Sequence, residues 1–232
     1  NAGVLQLEPI SLGIAGGSVA GYIRIDSNVM PAAFNTNLDV RALQLNQLFP
    51  TVKTTKTSFG KISGQFDLKG RGNSVAEMLG SASGDVAVLM GKGEISNILL
   101  EFMGLDGGEV IKFLLILLEF MGLDGGEVIK FLLSGDRTVQ LRCAAAAFDV
   151  KQGMMSSRAI VLDTSDTVIT GQGQISLRNE TLDILLKPEP KDMSIFSLRS
   201  PLRIGGTFAD MSAGPEKTAL AGRAGLALLL GA

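Results

Sequence analysis

Residues 18–26 read SVAGYIRID, a stretch in which apolar and polar side chains alternate along the chain. Val19, Ile23 and Ile25 fall on one side of an extended chain, whereas Tyr22 and Arg24 fall on the other. Successive side chains of a β-strand point to opposite faces of its sheet, so this period of two predicts a strand with one apolar face. We expect a mainly β, antiparallel fold, because the same pattern recurs along most of the chain.

The segment before this strand predicts its antiparallel partner. The sequence Ala-Gly-Gly at 15–17 is a turn signal, and Val4–Ile14 before it has the composition of a strand. The apolar residues of that segment change parity at Glu8-Pro9, which indicates a bulge or an edge position. Further strands are predicted at residues 37–45, 61–70, 84–93, 139–148, 158–162, 167–177, 182–186 and 202–208.

Three helical segments interrupt the strands. A short helix is predicted at 73–79, with Asn73 or Ser74 as its N-cap. A second helical segment is predicted at about 96–133, where residues 98–115 read ILLEFMGLDGGEVIKFLL and residues 116–133 repeat them letter for letter. The third is an apolar tail at 217–232. We therefore expect a single domain with N-terminal strands at 1–95, the helical segment at 96–133, C-terminal strands at 134–216 and this tail.

The composition excludes several classes of function. Of the 232 residues 46% are hydrophobic and 19% charged, and the net charge is −2. There is no histidine and one cysteine, which excludes histidine-based catalytic triads, most zinc sites and an internal disulfide. We expect no nucleic-acid partner, because the chain carries no excess of positive charge. We also expect no cofactor, no metal and no catalysis, because the sequence contains no phosphate-binding loop and no recognisable carboxylate pair.

Two apolar stretches fall short of a membrane-spanning helix. Residues 219–232 are too few, since about 20 residues are needed to cross a bilayer, and residues 98–133 are interrupted by charged side chains. The chain begins at Asn1 without a methionine, and we therefore expect a fragment of a longer protein.

Several short sequences resemble, in their order along the chain, the C-terminal region of AsmA family proteins. They are VQLRCA at 139–144, FDVKQG at 148–153, ITGQGQISL at 169–177, KPEPK at 187–191 and PLRIGGTF at 201–208. The N-terminal part agrees more loosely, through IAGG at 14–17 and the stretch at 60–72. The resemblance covers most of the chain except the second 18-residue copy.

This resemblance implies a location and a shape. The family's proteins are anchored in the inner membrane of Gram-negative bacteria by an N-terminal helix, which is absent from this fragment, and have a large periplasmic body. The body is an elongated antiparallel sheet curled into an open groove with an apolar interior. The implied role is non-catalytic: phospholipid acyl chains would move along the groove during outer-membrane biogenesis.

The sequence leaves one alternative open. The chain could be an assembly or scaffold factor that influences the insertion of outer-membrane proteins and protein targeting to the membrane, with an outer-membrane or periplasmic protein as its partner. For the lipid groove, the candidate lining residues are the apolar sides of four predicted strands, since alternation puts each set on one face. They are Val19, Ile23, Ile25, Ile62, Phe66, Leu68, Ile169, Ile175, Leu177, Leu182, Ile184 and Leu186.

Overall fold

The computed structural model describes residues 3–44, 47, 60–95, 139–165, 167–191 and 201–215. Within these ranges the chain forms an antiparallel sheet and one short helix. The strands are β1 (Val4–Ile14), β2 (Gly17–Asp26), β3 (Ala33–Gln44), β4 (Lys61–Arg71), β5 (Ser83–Met90), β6 (Gly93–Ile95), β7 (Val139–Lys151), β8 (Met154–Thr164), β9 (Thr167–Ser176), β10 (Thr181–Pro190), β11 (Leu202–Thr207) and β12 (Met211–Pro215). The helix, α1, is Val75–Ser81.

The sheet follows the order of the chain. Eleven strands are hydrogen-bonded neighbours from β1 to β5 and from β7 to β12, with β5 beside β7. The short β6 pairs with the first residues of β7, and β5 pairs with the later ones. β1 and β12 lie at opposite edges, so the sheet that the described strands form is not closed. The β5–β7 pairing makes it continuous across the segment at 96–138.

The mainly β, antiparallel prediction is confirmed, with corrections to several strands. β8 begins at Met154 rather than at residue 158, and β10 ends at Pro190 rather than at residue 186. β3 begins at Ala33 rather than at residue 37, because its first residues pair with the end of β2. Residues 84–93 form two strands, β5 and β6, separated by two residues. β12 has no counterpart in the prediction: it reads MSAGP, without the β-branched and aromatic residues that mark strands, and only its pairing with β11 defines it. The helical segment predicted at 96–133 and the tail at 217–232 lie outside the described residues.

The first hairpin has the turn and the bulge that the sequence predicts. Ala15 and Gly16 form a two-residue connection, with φ of 48° and 70°. Positive φ at both central residues gives a backbone twist that matches the twist of the paired strands. The register between β1 and β2 shifts between Leu7 and Ile10, which places the bulge at Glu8-Pro9 and returns the apolar residues of β1 to one face.

α1 confirms the short helix predicted at 73–79, shifted by two residues. Ser74 is the N-cap, and its hydroxyl oxygen accepts a hydrogen bond from the backbone N–H of Glu77 at 3.2 Å. The Glu77 carboxylate accepts in turn from the backbone N–H of Asn73 at 2.7 Å. This reciprocal arrangement satisfies backbone donors that a helix start otherwise leaves unpaired.

Two buried clusters lie on the same face of the sheet. The larger contains Ala82 beside α1, Val86 of β5, Phe148 and Val150 of β7 and Met155 of β8. The smaller joins Ile169 of β9 to Leu202 of β11. Cross-strand pairing puts Val86 opposite Phe148, and Val150 opposite Met155, so these side chains share one face.

Candidate functional site

One face of the sheet is apolar across every strand from β1 to β12 except the short β6. Residues directly opposite each other on neighbouring strands share a face, so the registers define rows that run across the sheet. One row crosses eleven strands: Leu7, Ile23, Thr36, Leu68, Gly84, Val150, Met155, Ile175, Leu182, Gly206 and Met211. Ten steps of about 4.8 Å carry it over about 48 Å, which exceeds the roughly 30 Å hydrocarbon core of a bilayer. We call this surface the apolar face.

The apolar face carries no charged side chain among the described strand residues that these registers place on it. Its polar members are hydroxyls: Thr36, Thr164 and Thr167. Thr164 and Thr167 are both buried and are joined by two hydrogen bonds. The Thr164 hydroxyl accepts from the backbone N–H of Thr167 at 3.0 Å and donates to the backbone carbonyl of Thr167 at 2.9 Å. The exchange keeps the polar groups of this turn paired beside apolar side chains.

The opposite face is polar along its whole width. The next row reads Tyr22, Asn37, Asp67, Asp85, Asp149, Ser156, Gln174, Asp183, Gly205 and Ser212. The ion pairs found among the described residues involve this polar face: Arg41 with Asp39, Arg158 with Asp85 and Asp149, Lys191 with Asp163, and Arg203 with Asp183. Alternation along each strand has therefore separated the charges from the apolar face completely in the described strands.

A bulge in β8 supplies the cation that two facing carboxylates need. Asp85 of β5 and Asp149 of β7 are direct cross-strand neighbours, and like charges in that position repel. The β7–β8 register shifts so that Arg158 is the extra residue. Its guanidinium reaches Asp85 at 3.1 Å and Asp149 at 3.3 Å, which offsets the repulsion.

Two arginine–aspartate pairs shift pKa values on the polar face. Hydrogen bonds from the Arg41 guanidinium hold the pKa of Asp39 below its usual value, and the same contact raises the pKa of Arg41. Hydrogen bonds from Arg203 likewise lower the pKa of Asp183. These shifts favour the ionised forms and give neither carboxyl group the raised pKa of a general acid.

A depression of about 390 Å³ lies on the polar face beside the β8 bulge. Its lining is mainly hydroxyl and amide, with one ion pair: Ser156, Ser157, Gln172, Gln174, Asp183 and Arg203, together with Gly173 and Leu185. The Ser157 hydroxyl oxygen accepts from the Gly173 N–H at 2.8 Å, replacing a ladder bond that the bulge interrupts. Within the described ranges, no group of three or more histidine, cysteine or acidic residues could hold a metal ion.

Exposure of the apolar face changes from one edge of the sheet to the middle. On β1, Leu5, Leu7, Leu12 and Ile14 are each about half exposed. In the middle, Val86, Phe148 and Val150 are buried, and the end of α1 lies beside Gly70 of β4 at the rim of the face. The apolar face is therefore most exposed at β1 and most buried at β5 and β7.

All twelve candidate residues of the sequence analysis lie on the apolar face or, for Leu177, pack against its buried cluster. Ile169 is buried and the other eleven are half-buried. The β9–β10 turn brings the candidate residues of β9 and β10 side by side, with Leu182 opposite Ile175 and Leu186 opposite Gly171. The structure thus places on one face residues that are 150 positions apart in sequence, such as Ile25 and Ile175.

Most of the buried centre of this face could not be recognised in the sequence. Phe148, Val150 and Met155 had no usable signal, because β7 contains the run CAAAA and β8 contains a bulge. Neither gives a clean alternation of apolar and polar residues. β3 does have a clean alternation. Phe34, Leu38 and Val40 alternate with Asn37 and Asp39, and this pattern identifies the apolar side of the strand.

The sequence of this chain is similar to that of a known protein family. The model of the AsmA family matches residues 1–160. The chain belongs to the AsmA family. It is 32% identical over 226 residues to the AsmA family protein YhjG of Escherichia coli (strain K12). The aligned region covers 97% of this chain and 30% of YhjG. The chain thus spans less than a third of the length of that curated AsmA relative.

No solved structure matches the chain. Among the described residues, no helix has the length and apolar character needed to cross a bilayer. The resemblance to the AsmA family given by the short sequence motifs is confirmed by the match to the family model and by YhjG.

Proposed function

We propose that the apolar face binds phospholipid acyl chains and guides them, in a non-catalytic, periplasmic part of an inner-membrane-anchored protein that serves outer-membrane biogenesis. Membership of the AsmA family supports a role of this kind in outer-membrane biogenesis or lipid transport. The observation that carries the proposal is the apolar row from Leu7 to Met211, which crosses eleven strands without a charged side chain.

The chemistry of an acyl chain fits this surface. A hydrocarbon chain needs continuous apolar contact and offers no hydrogen bonds, so its binding requires no fixed polar groups. It gains about 0.8 kcal/mol for each CH₂ group removed from water. A surface that is apolar over many strands and only partly buried is uncommon unless something binds there. A groove formed by curling the sheet around such chains would leave the headgroups at the rim, in water.

The test places a photo-crosslinking amino acid at two leucines that differ in the face they occupy. Leu5 of β1 lies on the apolar face and Leu89 of β5 on the polar face, and each is 53% exposed. The two variants therefore match in residue type and accessibility. We expect illumination of cells, followed by purification and mass spectrometry, to give phospholipid adducts at position 5 and none at position 89.

Two results would contradict the proposal. Equal lipid capture at both positions would mean that the adducts reflect general membrane contact and not this face. Capture of a single protein at position 5, without lipid, would favour the assembly or scaffold role instead. Since Leu5 is exposed, a substitution there leaves the fold intact, and absence of lipid cannot be attributed to unfolding.

A further inference from the structure

α1 lies across the apolar face at one rim of the sheet. Gly70 of β4 belongs to that face, since it pairs with Phe34. A Cβ atom at Gly70 would lie 2.7 Å from the Ser81 hydroxyl oxygen and 3.0 Å from the Met78 carbonyl oxygen. The C-terminal half of α1 therefore covers β4, and the fully buried Ala82 that follows it joins the larger buried cluster.

The connection that contains α1 is longer than the pairing of its strands requires. β4 and β5 are adjacent antiparallel strands, and two residues are enough to join such a pair. At the same rim, Gln152 and Gly153 alone join β7 to β8. Residues 72–82 join β4 to β5 and include a whole helix. The additional residues cover the apolar face instead of closing a turn.

The end of α1 is attached to the β9–β10 turn. The Arg178 guanidinium donates to the Gly80 carbonyl oxygen through Nε at 3.1 Å and Nη2 at 2.9 Å. A Cβ atom at Gly80 would be 3.4 Å from the Cα of Arg178, so the two backbones are in contact. β5 and β9 are three strand spacings apart, about 14 Å in a flat sheet. The contact therefore shows that the end of α1 extends along this rim to the β9–β10 turn.

Backbone hydrogen bonds join the turn between these two elements. The Gly153 N–H donates to the Ala82 carbonyl at 2.8 Å, and the Gly153 carbonyl accepts from the Leu177 N–H at 2.8 Å. Gly153 has φ of 76°, and a Cβ atom there would lie only 2.4 Å from the Gly80 carbonyl oxygen. A glycine is required at this position so that the β7–β8 turn can approach α1.

Apolar packing holds α1 only weakly. Of its residues Gly80 alone is buried, whereas Val75 is 73% exposed and Leu79 is 38% exposed. A segment with few buried apolar contacts opens at low free energy. The end of α1 is also tied to β4, because the Ser81 hydroxyl accepts from the Arg71 N–H at 2.8 Å and donates to the Arg71 carbonyl at 2.6 Å. Hydrogen bonds from a charged donor are stronger than neutral ones, so the two from Arg178 are the strongest single attachment of α1 to the β9–β10 turn.

We propose that α1 is a lid over the apolar face and that Arg178 is the positioning residue that keeps it closed. The proposal rests on the function proposed above, because it takes the apolar face as the path of the acyl chains. When the guanidinium leaves the Gly80 carbonyl, α1 can move away from Gly70. The part of the apolar face beneath α1 then becomes accessible to lipid.

The test uses Arg178→Met, which keeps an unbranched side chain and removes the donors. Transfer of a fluorescent phospholipid between the purified chain and vesicles of phosphatidylethanolamine and phosphatidylglycerol gives the exchange rate. Hydrogen exchange of the amides of residues 75–81 reports the opening of α1. Loss of charge-assisted hydrogen bonds raises an opening equilibrium on the order of tenfold, and we expect both readouts to rise by about that factor.

Two further variants test the assignment. Arg178→Lys keeps the charge and one donor direction, and we expect an intermediate effect. Arg41→Met removes an equally charged guanidinium, 73% exposed, from the polar face, and we expect neither readout to change.

The outcomes separate this proposal from the proposed function. Faster exchange of the α1 amides in Arg178→Met with an unchanged lipid rate would overturn the lid. Unchanged α1 amides would overturn the role of Arg178. If the unmodified chain transfers no lipid, the proposed function fails, and hydrogen exchange still tests whether Arg178 holds the helix.

Discussion

The two faces of the sheet are built from the same strands and differ in what they tolerate. Along β5, Val86 faces the buried cluster, whereas Asp85 beside it takes part in an ion pair with Arg158. The difference repeats across eleven strands, so among the described strand residues one face has no charged side chain and the other carries the ion pairs. Alternation thus produces two surfaces of different chemistry from one layer of structure.

A charge placed in the middle of the apolar face gives the largest expected effect. We expect Val86→Asp to lower the free energy of unfolding by on the order of 4 kcal/mol, because Val86 is 7% exposed and the new carboxyl group would lack partners. A loss of that size approaches the total stability of a typical domain. Urea unfolding followed by circular dichroism measures it.

Leu89→Asp is the matched control on the same strand. Leu89 faces the polar side and is exposed, so we expect a change within about 0.5 kcal/mol. Similar losses in both variants would show that the two faces do not differ in the way the registers indicate.

The sequence predicted which side chains lie on each face of the sheet better than it predicted the position of α1. Alternation in β2, β4, β9 and β10 assigned eleven of the twelve candidate residues to the apolar side, because a strand with one polar face has a period of two. The twelfth, Leu177, lies in the turn after β9. It could not separate the sides of β7, where four consecutive alanines carry no contrast. It also could not place α1 over Gly70, or Arg178 on Gly80, because these contacts join residues up to 98 positions apart.

The N-cap of α1 gives a smaller effect, confined to the cover of the apolar face. We expect Ser74→Ala to destabilise α1 by about 1 kcal/mol, because the Glu77 N–H loses its acceptor. Hydrogen exchange of the α1 amides measures this, and Ser74→Thr, which retains a hydroxyl, should show little change. An equal loss of protection throughout β7 and β8 would mean instead that α1 and the sheet open together.

The smallest effect belongs to an ion pair on the polar face. Arg203 donates to both carboxylate oxygens of Asp183 at 2.7 and 2.5 Å and lowers the pKa of that carboxyl below 3.8. The folded protein therefore binds this proton less readily than the unfolded chain. The resulting stabilisation is complete above the unfolded pKa and is lost as the pH falls through the folded one.

Both side chains are more than half exposed, at 57% and 54%, so solvent screening keeps the contribution below about 1 kcal/mol. We expect urea unfolding at low salt and about pH 6 to show that Asp183→Asn is less stable than the unmodified chain by a few tenths of a kcal/mol. The difference should shrink in high salt and disappear once the pH lies below both pKa values. A difference that persists in acid would assign the loss to the packing of the depression beside Asp183, since at that pH the carboxyl group is neutral in both states.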